Sequence, residues 1–195
     1  MKRKNNFILL MLALLLCFSC DHTKVIEVES LPQGLYVDKN ELNEEKALWE
    51  ASKKDIAKYE FTYQVSIESS IPVEARVYVD NIQGTKEIVI RQRNGFTKDE
   101  YLRKGLSEEQ WNDTMNQDSA YYYFKSIDEI FDYLNMKFSE YEKAVADKTF
   151  YNATCNVQYF VFGIPSHIVF KRQKTESSLT RKQVVTIQIT NFNSY

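Results

Sequence analysis

The chain of 195 residues reads as an α+β domain: a single antiparallel sheet of about six strands with two main helices on one face. Three observations predict that class. Segments with period-two alternation come in two groups joined by short links, the mark of antiparallel meanders. A segment with helical spacing precedes each group, so helices do not alternate with single strands. Tyr and Phe number 13 and 12, while Gly and Pro number only 5 and 3, a composition that suits strands with large packed side chains.

The first element is a leader. Lys2, Arg3 and Lys4 form a basic head, twelve apolar residues run unbroken from Phe7 to Phe18, and Ser19-Cys20-Asp21 ends the run. A bilayer-spanning helix needs about 20 apolar residues, so this shorter run with its basic head has the form of an export signal. Within Leu16-Cys17-Phe18-Ser19-Cys20, the small Ser19 before Cys20 matches the processing site of a bacterial lipoprotein, although Cys17 stands where leucine is usual. Residues 1–19 are therefore expected to be removed as a signal peptide. Cys20 is expected to carry a diacylglyceryl thioether and an N-acyl chain of the palmitate kind. Stable anchoring takes two membrane signals, and these chains provide them. That places the protein on a membrane of the cell envelope, on the extracytoplasmic side; inner and outer membrane both stay open. The oligomeric state is open as well.

Removing residues 1–19 takes away three basic groups and no acid, which turns the formal charge of −2 into −5. Such a chain does not hold itself on nucleic acid by charge. With Cys17 removed and Cys20 lipidated, Cys155 is the last of the three cysteines. No intrachain disulfide is then expected despite an oxidising compartment. Stability has to come from packing.

Residues 20–37 are polar, without a clear period, and broken by Pro32 and Gly34; they read as a tether. Residues 38–195 read as one domain, long enough to bury a substantial core. Asp38-Lys39-Asn40-Glu41 sets an acceptor side chain three residues before a glutamate, a helix start. Leu42, Trp49 and Ile56 then recur at sevens, so helix 39–57 has one apolar face and Trp49 anchors it on the sheet. Alternation over 59–67 is the strongest strand signal in the chain. Ser69, Ser70 and Pro72 turn it, 75–80 forms a second strand, and 86–91 forms a third after the turn at 81–84.

Residues 94–118 form a polar excursion. Thr97-Lys98-Asp99-Glu100 and Ser107-Glu108-Glu109-Gln110 both match the capping box, with Gly105 between them as a stop, which predicts two short helices. Tyr101 and Trp111 are the candidate exposed aromatics of an interaction surface. The competing and favoured reading is an insertion whose aromatics fold back onto the domain.

Ser126-Ile127-Asp128-Glu129 opens the clearest helix. Ile127, Ile130, Phe131, Leu134, Phe138, Tyr141 and Val145 make one stripe at helical spacing, and the acids of the first turn suit the helix dipole. Residues 150–162 read as a strand ending at Gly163-Ile164-Pro165, 166–171 as another, 173–182 as a polar loop and 184–192 as the last strand. The predicted order is α-β-β-β-(short helices)-α-β-β-β.

In this arrangement the chain resembles a family of uncharacterised bacterial lipoproteins, domain of unknown function 6174. The features that carry the resemblance are Trp49 followed by Tyr59-Glu60-Phe61-Thr62-Tyr63, then Ser126-Ile127-Asp128-Glu129-Ile130-Phe131. Val157-Gln158-Tyr159 with Gly163-Ile164-Pro165-Ser166-His167-Ile168 and the closing strand complete it, so that it covers most of 45–192. Many members carry cysteines just after the first strand, where this chain has Ser66 to Ser70. The resemblance implies the architecture and the address, and no activity.

Little in the chain points to catalysis. His22 lies in the tether and His167 at a strand start; a Cys155–His167 dyad needs both side chains on one face. No His-Glu-x-x-His, Cys-x-x-Cys, phosphate-cradling glycine loop or Gly-x-Ser-x-Gly occurs, and neither metal nor cofactor is implied. Pairs such as Glu44-Glu45 and Glu108-Glu109 point in different directions on a helix and read as solvated charge. The expected function is a non-catalytic, lipid-anchored module that binds a partner protein or an envelope component, through the uncovered sheet face or the excursion. The alternative is a carrier of a small apolar or lipidic ligand in a cavity lined by Trp49, Phe131 and Tyr159. A hydrolase with an unrecognised site is the third reading.

Overall fold

Alternation decides the sheet. In the computed structural model, which describes residues 34–68, 71–93, 95–111, 124–174 and 183–195, strand β2 (Lys58–Ile67) buries Tyr59, Phe61, Tyr63 and Val65 on one face. Glu60, Thr62, Gln64 and Ser66 point to the other. Strand β3 (Val73–Asp80) repeats the pattern with Val73, Ala75 and Val77 inside, and β4 (Thr85–Arg93) follows with Ile90. The second group is β6 (Asn152–Tyr159), β7 (Pro165–Gln173) and β8 (Gln183–Ser194). β8 closes the molecule by pairing antiparallel with β2, Tyr63 opposite Ile189 and Val65 opposite Ile187, so the two meanders become one sheet.

The class is α+β, as the grouping of elements implies, but the sheet is mixed and has eight strands; with β1 (Gly34–Val37) and β5 (Phe96–Thr97) at its edges, the order is β1-β6-β7-β8-β2-β3-β4-β5. Two strands are additional to the expected six. Residues 34–37, read as the end of the tether, form β1 (Gly34–Val37), which runs parallel to β6 with Gly34 opposite Asn152 and Val37 opposite Cys155. β5 (Phe96–Thr97) is a two-residue edge on β4. Strands this short hold too few residues to show a period, so the sequence pattern alone does not reveal them.

Helix α1 (Lys39–Ser52) starts where Asp38 accepts from the Glu41 N–H at 2.9 Å and passes into a 3-10 turn, Lys53–Asp55. Helix α2 (Lys98–Arg103) begins in the Thr97/Glu100 capping box. A second helical turn at 108–111 starts in the matching exchange between Ser107 and Gln110. Helix α3 (Ile127–Ala146) begins in the Ser126/Glu129 box. Each of these caps satisfies backbone donors that the first turn leaves open.

The long helices α1 and α3 lie side by side on the apolar sheet face, and their stripes make the core. Trp49 meets Tyr59 edge-on at 5.4 Å between ring centroids, while Tyr133 and Tyr141 of α3 meet Phe170 of β7. Trp49, Phe131, Phe138 and Leu134 are all buried, each stabilising the fold by roughly 1.5–3 kcal/mol through apolar burial. The helices are joined by ion pairs, Lys39–Glu142, Lys46–Asp132 and Lys53–Asp128. Asp128 also accepts from the Trp49 indole N–H at 3.0 Å. One carboxylate thus fixes both the ring and the neighbouring helix.

Candidate functional site

The structure separates the residues that the sequence proposes for function. Cys20 lies outside the described residues. Trp111 is buried, 3% exposed, and belongs to the core; Tyr101 is half-buried and meets it edge-on at 5.0 Å. Trp111 is thus not an exposed aromatic; its burial agrees with the favoured reading of an insertion whose aromatics fold back onto the domain, since Trp111 has a large apolar area to bury. Around it Lys98 pairs with Glu108. On this excursion a surface depression is lined by Phe96, Glu100, Arg103 and Lys104, with the Lys104 ammonium over the Phe96 ring.

Trp49 and Phe131, expected to line a ligand cavity, are enclosed in packed surroundings. Tyr59, Phe192 and Asp128 touch the Trp49 ring, and Gly163 sits against its backbone. Tyr159 is half-buried near Asp38, Glu41 and Glu45; burial first, then these carboxylates, push its phenol up from the ordinary value. Cys155 and His167 point to opposite faces. Cys155 is buried with the core, opposite Phe170, and burial pushes its thiol well up. His167 stands opposite Gln158 and Gln188 on the other face. No dyad forms. Among the described residues no group of three or more His, Cys, Asp or Glu gathers to hold a metal ion.

Two surfaces stand out. The first is the sheet face that carries neither long helix. Its register lines up Gln92, Glu74, Gln64, Gln188, His167 and Gln158 in one row across six strands. Alongside run Thr62 with Thr190, and Asn156, Val169, Thr186 and Ser66. Some of the charges on this face are paired across neighbouring strands. Arg76 pairs with Glu60 and stands near the Tyr78 ring, and the Gln64 amide donates to Glu74 at 2.6 Å. Amides and hydroxyls dominate the row, with side chains spaced by the sheet at about 4.8 Å between strands. The period-two pattern predicts that such a face exists; the alignment of the row depends on registers that no local pattern encodes.

The second surface escaped the sequence reading. Residues 160–162, read as the end of a strand, instead make the tip of the β6–β7 hairpin. The Phe160 N–H donates to the Ile164 carbonyl at 2.7 Å, which closes the turn. Phe160, Val161 and Phe162 are exposed by 43%, 74% and 61%. Phe162 takes a left-handed backbone, φ 69°, which an aromatic residue rarely adopts. The signal in the sequence is Gly163-Ile164-Pro165, where a glycine four residues and a proline six residues after Tyr159 mark a turn rather than a continued strand.

No family model, curated protein or solved structure matches this chain. Function therefore has to be argued from these two surfaces.

Proposed function

We propose that the chain is a lipid-anchored, non-catalytic binding module of a bacterial cell envelope, tethered through Cys20 and holding a partner protein or an envelope component on its uncovered sheet face. The observation that carries this reading is the asymmetry of the sheet. One face is sealed by α1 and α3. The other presents the six-strand row from Gln92 to Gln158, in which Glu74 accepts from the Gln64 amide, with the Arg76–Glu60 pair beside it. Neutral amides and hydroxyls on a rigid sheet give directional hydrogen bonds without the desolvation cost of unpaired charge. The resemblance to domain of unknown function 6174 belongs to the same proposal and adds the address. The signal-like leader and Cys20 supply the anchor.

The test is a photo-crosslinking residue placed in the full-length protein in cells at Gln188, which is exposed on the open face, and separately at Glu140, which is exposed on α3. The expected result is one discrete adduct from Gln188 and none from Glu140, with acyl mass on the peptide that begins at Cys20. Equal adducts from both positions, or none from Gln188, would remove the open face from the proposal. A Cys20 peptide without acyl mass would remove the anchor.

A further inference from the structure

Exposed apolar side chains are not spread evenly over this molecule. Of nine large ones among the described residues, four gather at one place: Phe160, Val161 and Phe162 on the hairpin tip, and Leu48 on α1. They are neighbours because Gly163 lies on the backbone of α1 between Glu45 and Trp49. A Cβ added to Gly163 would stand 2.1 Å from the Glu45 carbonyl oxygen and 2.9 Å from the Trp49 nitrogen. The hairpin is thus fixed at its base while its tip projects three consecutive apolar residues. A folded interior gains nothing from that arrangement, because exposed apolar area contributes no burial and the left-handed Phe162 costs about 1 kcal/mol or more.

The sequence around the tip is as unusual as its geometry. From Thr149 to Phe170 the chain holds no Asp, Glu, Lys or Arg, the longest uncharged stretch in the protein and longer than that of the leader. A convex, uncharged tip can enter the headgroup and acyl boundary of a bilayer without carrying a charge out of water. Half-buried Tyr159 at its base suits the interfacial level, where tyrosine is favoured. Charge selects the kind of surface. Asp38, Glu41 and Glu45 surround Tyr159, so a zwitterionic bilayer fits and a strongly anionic one is repelled.

We propose that the Phe160–Phe162 tip, with Leu48, is a membrane-contact site that lays the domain on a zwitterionic lipid surface. The proposal rests on the anchored reading of Cys20, which keeps that surface near. Gly34 enters at the Asn152 end of β6, opposite the tip. Residues 21–33 reach about 43 Å when extended, whereas β6 spans about 26 Å, so the anchor allows the tip to face the bilayer.

The mature lipidated protein is reconstituted into phosphatidylcholine vesicles containing brominated acyl chains, with Val161→Trp as reporter and Ile71→Trp, exposed at the opposite end of the sheet, as control. The emission of wild-type Trp49 and Trp111 is subtracted. The added Val161→Trp emission is expected to fall about twofold and to shift to the blue, to lose most of that quenching in phosphatidylglycerol-rich vesicles, and Ile71→Trp to stay unquenched. Equal quenching at both positions would overturn the proposal. So would no quenching at Val161→Trp, which would leave the tip to a protein partner or a second copy. Flotation with the vesicles and the acyl mass on Cys20 report separately on the anchor, so a failed anchor and a failed contact site give different results.

Discussion

Gly163 is the residue whose replacement has the sharpest expected outcome. Its φ of 75° and the 2.1 Å approach that a Cβ would make to the Glu45 carbonyl leave no room for Ala. Gly163→Ala should destabilise by about 2 kcal/mol or more, read from the midpoint of urea unfolding. Phe162→Gly should lose almost nothing by the same measurement. It removes an exposed ring and relieves a left-handed backbone, which offsets the glycine entropy of roughly 0.5–1 kcal/mol. Asp128→Ala should cost about 1–3 kcal/mol because the buried indole N–H of Trp49 is left without its acceptor, and Asp128→Asn, which keeps an oxygen there, should cost less. Residues also show why placement is only partly legible. Alternation counted on from Ile189 would put Phe192 on the open face with Thr190. Asn191, at φ 54°, inserts one extra residue against β2, and Phe192 turns inward to stack on Tyr59 at 5.5 Å. A bulge of this kind leaves no periodic trace.

At the scale of elements, helix starts were the most legible feature and short strands the least. Asp38, Thr97, Ser107 and Ser126 all cap as their spacing implies, because a cap is chemistry between neighbours. β1 depends instead on a partner more than a hundred residues away, and the hairpin tip was absorbed into a strand because its residues favour strands until Gly163. The Ser126 cap allows a pH prediction. Burial works to raise the Glu129 carboxyl, but the Lys86 ammonium and the Ser126 N–H outweigh it and hold the carboxyl below its ordinary range. A group whose folded value is depressed adds stability above its unfolded value, near 4.5, and that stability is lost as pH falls through the folded value. Unfolding midpoints should therefore drop as pH falls below the unfolded value, and Glu129→Gln should flatten part of that slope.

Across the whole molecule, one face of the sheet is packed under the two long helices and the other carries neither, and this division is readable from alternation alone. Its closure was not: the pairing of β8 with β2 is a long-range choice among several edges. The sealed side makes Cys155 a reporter of integrity. With Cys17 and Cys20 replaced by Ser, its thiol, buried and held protonated, should react with a thiol reagent on the order of a thousandfold more slowly than in the denatured protein. Fast labelling under native conditions would show that the core opens locally. The parallel edge strand has a mechanical meaning for a tethered domain. Under the proposed anchoring at Cys20, tension would enter along β1, whose ladder with β6 lies across that direction, so its bonds would be loaded together in shear. Once they yield, the four residues Gly34–Val37 pay out as about 13 Å of slack while the other seven strands stay closed. The proposed anchor would then carry its own strain relief.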